Sequence, residues 1–230
     1  KTDFLLNSAL AAGFSGAKPV IFSMEMTAEN ELDLRVIANV GDYNRAKIKD
    51  PNQYFNDKEK ERWPTVLGEV AKTDLTIFDK SKQSVKEIYA KTRKIIKENP
   101  DKRVVVYIDY LTLMKPGENF KTIDHFSVSE MTKDLKNLAK ELNVPVVCLA
   151  QLSRRIEERQ DKRPQMSDLR ESGGIEEDAN LVGLLYRDSY YTKDQNDNSF
   201  EITIAKNRAG AVGLIKCAYN RFTGKLTEIT

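Results

Sequence analysis

Arg103-Val104-Val105-Val106-Tyr107-Ile108-Asp109 is an apolar run, unbroken from Val104 to Ile108, that stops abruptly at a carboxylate. A short apolar stretch without alternation suits a strand covered on both faces, as in a parallel sheet. In open α/β sheets the ligand crevice lies beyond the carboxyl ends of the strands, so Asp109 falls where a ligand would sit. The competing reading is a strand that merely ends in a polar residue. Whether other strands end in chemically useful groups decides between the two.

Other strands do. Val20-Ile21-Phe22-Ser23-Met24 is a short apolar strand opened by Pro19 and followed at once by Glu25, and Val144–Leu149 is another that ends at Gln151. Leu75–Phe78 adds a further short strand. Between them lie helical patterns over residues 2–12, which Gly13 could end, over 27–40, and from Ser84 to Ile96, where Ser84-Val85-Lys86-Glu87 has capping-box spacing. Residues 125–142 form the clearest helix, with Met131, Leu135, Leu138 and Leu142 on one face. The polar stretch 41–73, with Trp63 and Pro64, reads as shorter helices outside the sheet. A long polar segment, 152–179, precedes three more strands at 180–186, 200–206 and 211–219, with a surface turn at 192–199. Alternating β and α early, then successive strands late, predicts an α/β fold: a mostly parallel central sheet flanked by helices, with antiparallel strands added at the C-terminal end.

The 230 residues suffice for one large domain with a substantial core. Hydrophobic content of 40% and charged content of 31% describe a soluble globular protein, not a disordered or fibrous one. No apolar run approaches the roughly 18 residues of a membrane helix, and no signal-peptide pattern is visible. Cys148 and Cys217 sit in apolar strand-like runs and read as buried free thiols, which fits a reducing cytoplasm. The single histidine, His125, argues against a histidine-rich metal site or a Ser-His-Asp mechanism and reads as a surface residue. A net charge of +2 is too small to imply a nucleic-acid partner by itself, so any such site must be local.

Lys1-Thr2, followed directly by a helix, is the tail of G-x-x-x-x-G-K-[ST]. In that loop backbone N–H groups cradle phosphates, the lysine reaches the outer phosphates and the hydroxyl holds Mg²⁺. A Lys-Thr pair alone is common, but Asp109 at a buried strand end supplies the carboxylate that Mg²⁺ needs beside it. Glu25, at the same sheet edge, reads either as the base that orients an attacking water or as an ordinary helix-start acid. Gln151 reads either as an amide for a phosphate oxygen or that water, or as a loop residue without a role. Four strand ends offering lysine and threonine, glutamate, aspartate and glutamine to one crevice favour the functional reading of each.

The segments Phe22-Ser23-Met24-Glu25-Met26, Ile108-Asp109-Tyr110-Leu111 and Leu138–Val146 resemble the ATPase domain of DnaB-type replicative helicases, as does the run from Ala150 to Arg163. Most specific are Ser167-Asp168-Leu169-Arg170-Glu171-Ser172-Gly173, Leu185-Tyr186-Arg187-Asp188 and Ala205-Lys206-Asn207-Arg208. The likeness covers the whole chain, residues 1–230, except a divergent 41–73, and does not include the amino-terminal domain with which such helicases grip primase and close the ring. It implies a RecA-type P-loop NTPase core, a homo-hexamer with ATP bound between neighbours, Mg²⁺ as cofactor, and single-stranded DNA, primase and a helicase loader as partners of the full-length protein.

Carried over by position, the resemblance makes Lys1 and Thr2 the end of the phosphate loop, Asp109 the Mg²⁺ carboxylate and Glu25 the catalytic base. Gln151 becomes the sensor of the γ-phosphate. Lys206 and Arg208 become a basic finger reaching the next subunit's ATP, where an always-charged guanidinium offsets charge developing in phosphoryl transfer; without the family they would read as a solvated strand end. Arg170, Glu171 and Gly173 become contacts to the DNA backbone. Around them Arg154, Arg155, Arg159, Lys162 and Arg163 alternate with acids, and no aromatic interleaves, so backbone tracking is favoured over base stacking. Arg35 corresponds to the family's ATP-binding arginine, one residue further from Glu25 than the pattern has it. Thr112, Asn180 and Ala211-Val212 also depart from it, which implies a divergent member. The same core could serve a recombination ATPase of the RecA or RadA kind, and a different class would be a non-hydrolysing loader or scaffold.

Overall fold

In the computed structural model the 103–109 run is a central strand of a parallel sheet. The structure describes residues 1–118, 120, 122–172 and 174–229, and for Arg170, Glu171 and Ser172 the backbone alone. Among the described residues two four-stranded sheets form. The first runs β2 (Thr76–Phe78), β1 (Lys18–Ser23), β3 (Val104–Asp109), β4 (Val146–Cys148), all parallel. The second runs β5 (Leu181–Tyr186), β6 (Ser199–Asn207), β7 (Gly213–Tyr219), β8 (Leu226–Glu228), all antiparallel. The late strands thus form a ladder of their own instead of lengthening the parallel one. β8 is too short to leave a periodic signature and is absent from the sequence reading.

β1 and β3 carry unbroken apolar runs because both their faces are covered. Val20, Phe22, Val106 and Ile108 point into one core with Ile88, Met131, Leu135 and Leu138. Ile21 and Tyr107 point into the other with Leu5, Leu6, Ala9 and Leu10. The first layer comes from α5 (Val85–Glu98) and α6 (His125–Glu141), the second from α1 (Thr2–Phe14) and α2 (Asp33–Gly41). Each fully buried side chain of this kind contributes about 1.5–3 kcal/mol, so a polar residue at Ile108 or Phe22 would cost more than any surface change. Ser84 and Glu87 make the expected capping box at the start of α5. Asp124 and Ser127 make another at α6, where His125 is exposed in the first turn.

Gly13 does not end α1. A Cβ there would lie 2.4 Å from the Thr73 carbonyl, so glycine is needed for close approach, and the chain turns instead at Gly16, with φ +85°. The 41–73 stretch holds α3 (Pro51–Tyr54) and a 16-residue α4 (Asp57–Lys72), longer than expected, with Pro64 inside it. Tyr43, Phe55 and Trp63 pack there with ring centroids 4.8–5.6 Å apart, Tyr43 stacked on Phe55 and Trp63 edge-on to Phe55, a separate small core over α2. Cys148 and Cys217 are free thiols. Cys148 is half-buried and Cys217 buried; desolvation, then the Asp109 carboxylate, pushes the Cys148 thiol up to about 12, so it remains protonated.

Candidate active site

The register of the parallel sheet sets Ser23 opposite Asp109, so β1 and β3 end at one edge. Met24 N donates to the Asp109 carbonyl at 2.9 Å, extending that pairing by one residue. The Ser23 hydroxyl then donates to the Met26 carbonyl and accepts from Met26 N. This small turn carries Glu25 out over the edge, exposed. On the other side Leu149 N donates to Ile108 O at 2.9 Å and Leu111 N to Leu149 O at 3.0 Å, which brings Gln151 to the same edge.

α1 begins at Thr2, directly after Lys1, and Leu5 N donates to the Lys1 carbonyl. The Thr2 hydroxyl donates to Asp109 Oδ2 at 2.8 Å, and Asp109 is only 2% exposed. Lys1 Nζ lies 5.0 Å from the centre of the Tyr110 ring. Desolvation lowers the Lys1 ammonium from its ordinary range, while the carboxylates of Asp109 and then Glu25 pull it back up. Burial, then Glu25 and Asp109, raises the Tyr110 phenol, and a hydrogen bond with the Gln151 side chain opposes them. Lys1, Thr2, Glu25, Asp109 and Gln151 therefore gather at one sheet edge, around Tyr110. Nothing in the sequence run singles out Tyr110; only the meeting of three strand ends shows it.

The hydroxyl and carboxylate pair suits a hard cation. Mg²⁺ favours a few oxygen ligands and keeps waters or phosphate oxygens on its remaining positions, and Thr2 with Asp109 offers that kind of partial shell.

Arg35 reaches this region from α2. Between Glu25 and α2 the chain kinks over Ala28–Leu32: Leu32 N bonds the Thr27 carbonyl, Glu29 is extended and Asn30 takes φ 71°. Arg35 Nη1 then lies 3.4 Å from Asp3 Oδ1. Asp3 is itself gripped by Arg45 at 2.6 and 3.0 Å and by the Tyr219 hydroxyl. This node, one residue past Thr2, joins α1 to the second sheet, and its partners lie too far off in sequence for spacing to reveal it.

Lys206 and Arg208 bond a different part of the chain. Lys206 Nζ donates to the Glu176 carbonyl, and Arg208 Nη2 donates to the Glu177 carbonyl at 2.7 Å, both on α7 (Ile175–Asp178). Arg170 and Glu171 belong to a short 3-10 segment, Met166–Ser172, described by its backbone at these two positions, and Gly173 lies outside the described residues. Of the basic loop before it, Arg159 is half-buried and grips the buried Asp168 at 2.8 and 3.1 Å. Arg163 forms a two-pronged pair with Glu201 at 2.8 and 3.0 Å. These two arginines hold the loop's shape.

A model of the DnaB-like helicase C terminal domain family matches residues 1–228. Replicative DNA helicase DnaC of Bacillus subtilis is 40% identical over 228 residues, covering 96% of this chain and 49% of its own. Replicative DNA helicase DnaB of Geobacillus stearothermophilus is 41% identical with the same coverage. A solved DnaB-like replicative helicase, described with its interactions with primase, superposes with a TM-score of 0.94 at 39% identity, over 100% of this chain and 54% of that one. A second solved structure, that of an ATPase domain, gives 0.93 at 39% identity, over 100% of this chain and 81% of its own. The chain spans about half the length of the curated relatives it matches.

Proposed function

This chain belongs to the DnaB-like helicase C-terminal domain family, and on that premise we propose that it is a single RecA-like ATPase unit, the motor of a replicative DNA helicase. Its work is to hydrolyse ATP while moving along single-stranded DNA, and so to unwind duplex at the fork. The observation that carries this is the Thr2–Asp109 hydrogen bond with Glu25 and Gln151 at the same sheet edge. The relatives' names support a helicase over a recombination ATPase or a non-hydrolysing scaffold.

Lys1 would bind the outer phosphates. Bound Mg²⁺, held by Thr2 and Asp109, would supply charge neutralisation to the β- and γ-phosphates. Glu25, exposed over the sheet edge, would take the proton of the attacking water. Gln151, beside Tyr110, would read the γ-phosphate and pass its presence along the segment that leads to Arg170. Arg35 would contribute to ATP binding from the side of Asp3. Lys206 and Arg208, which sit apart from this crevice on the same chain, fit a role in the next subunit's site within a homo-hexamer. Arg170, Glu171 and Gly173 would contact the strand's phosphates, and primase and a loader would bind the full-length protein in the cytoplasm.

The test is Glu25→Gln. Losing the base from a phosphoryl-transfer site should reduce ATP turnover by about 10²–10⁴-fold while nucleotide binding, read by fluorescence titration, persists. Unchanged turnover would remove Glu25 from the chemistry.

A further inference from the structure

A second cluster of cations lies around the corner between α7 and β5. Lys136, on α6, donates from Nζ to Asn180 Oδ1 at 2.5 Å. The Asn180 main-chain carbonyl accepts from Arg208 N at 2.9 Å. Asn180 is therefore a bridge, with Lys136 on its side chain and the Arg208 turn on its backbone. Arg208 Nη2 and Lys206 Nζ hold the adjoining carbonyls of Glu177 and Glu176. Burial, then Arg208 and Lys140, lowers the Lys136 ammonium, with Asp178 opposing and Lys206 adding. Among the described residues the facing acids are few: Asp178, whose Oδ2 accepts from the Thr132 hydroxyl at 2.6 Å, and the exposed Glu176 and Glu177. Because position 180 is a neutral amide, Lys136 is hydrogen-bonded there without being neutralised.

We propose that Lys136 is a positioning residue for the basic finger: through Asn180 it fixes the turn that presents Arg208 to the neighbouring subunit's triphosphate. This rests on the reading of Lys206 and Arg208 as acting in trans. The physical argument is preorganisation. An exposed arginine loses side-chain freedom when it meets phosphate, and a turn already pinned at Asn180 leaves less to lose. A charge-assisted hydrogen bond is stronger than a neutral one, and the Lys136–Asn180 contact, exposed at the surface, ties the turn to α6. The ammonium, offset only in part by Asp178, also adds positive potential beside a polyanion, which lowers the barrier as charge develops.

The experiment uses the full-length helicase with saturating single-stranded DNA and measures kcat and KM for ATP. Lys136→Met, which keeps the apolar stem, should lower kcat by about tenfold and leave KM within about twofold, a loss confined to the transition state. Lys136→Arg should recover most of that loss. Asn180→Ala should reproduce part of it, and the double variant should be less than additive. Mixing Lys136→Met subunits with Glu25→Gln subunits should restore turnover above either alone, because some interfaces then pair an intact Glu25 with an intact finger. No recovery on mixing would show that Lys136 acts within its own subunit and would overturn the proposal, as would an unchanged kcat. If Lys136→Met fails to assemble, Asn180→Ala decides, and undiminished turnover there overturns it. Arg208→Ala separates the two levels: retained turnover in that variant sinks the finger itself, whereas its loss beside an active Lys136→Met sinks only the role of Lys136.

Discussion

Replacing Asp3 by asparagine should destabilise the domain in a way that depends on pH with a definite sign. Asp3 takes two hydrogen bonds from Arg45, at 2.6 and 3.0 Å, with Arg35 at 3.4 Å. The Asp3 side chain is 15% exposed and that of Arg45 22%. Tyr219 adds a phenolic donor, and burial followed by Asp3 itself pushes that phenol up to about 12, so it stays protonated. Removing one partner of a fully buried pair costs about 3–5 kcal/mol; the partial exposure here reduces this to about 2–3 kcal/mol. For a domain of this size that is a fall in Tm of roughly 5–10 °C. Burial alone would raise the Asp3 carboxyl, but hydrogen bonds from Arg45 and Tyr219, then the charges of Arg45 and Arg35, hold it below the usual range. A carboxyl depressed in the folded state stabilises above its unfolded pKa, and that contribution is lost as pH falls through the folded value. The gap between the parent and Asp3→Asn, followed by thermal denaturation, should therefore be full near neutrality and shrink as pH drops below about 4. A Tm difference under about 2 °C at neutral pH, or a gap that ignores acidification, would refute the reasoning.

Gly224 has φ +75°, and a Cβ there would lie 1.8 Å from Arg45 Nη2. Gly224→Ala should cost about 1–3 kcal/mol by left-handed strain and displacement of Arg45, and in chemical denaturation its effect should overlap that of Asp3→Asn, since both act through one arginine. Simple additivity would separate the two sites. For the DNA loop, Arg170→Ala should weaken single-strand binding and make its salt dependence shallower by about one phosphate contact's worth; equal affinity and equal slope in titrations at several salt concentrations would reject that contact.

The local grammar of this chain was sufficient for much of its architecture. The run Val104–Ile108 suited a strand covered on both faces, Ser84 and Glu87 cap α5 with groups three residues apart, and Lys1, Thr2, Glu25, Asp109 and Gln151 were all identifiable as strand-end or helix-start residues. Such features depend on neighbours within one turn or one strand, so sequence carries them. What sequence could not supply is which distant groups meet. The separation of the late strands into their own sheet, the proximity of Tyr110 to Gln151, and the grip of Arg45 and Tyr219 on Asp3 depend on pairings across tens to hundreds of residues. Gly13 illustrates the same division: its residue type suggests a helix end, while its actual task, admitting the Thr73 carbonyl, exists only once α1 has packed. Side-chain chemistry and short-range periodicity are written in the order of residues; charge neutralisation, burial of polar groups and shared crevices are properties of proximity, which the completed chain alone creates.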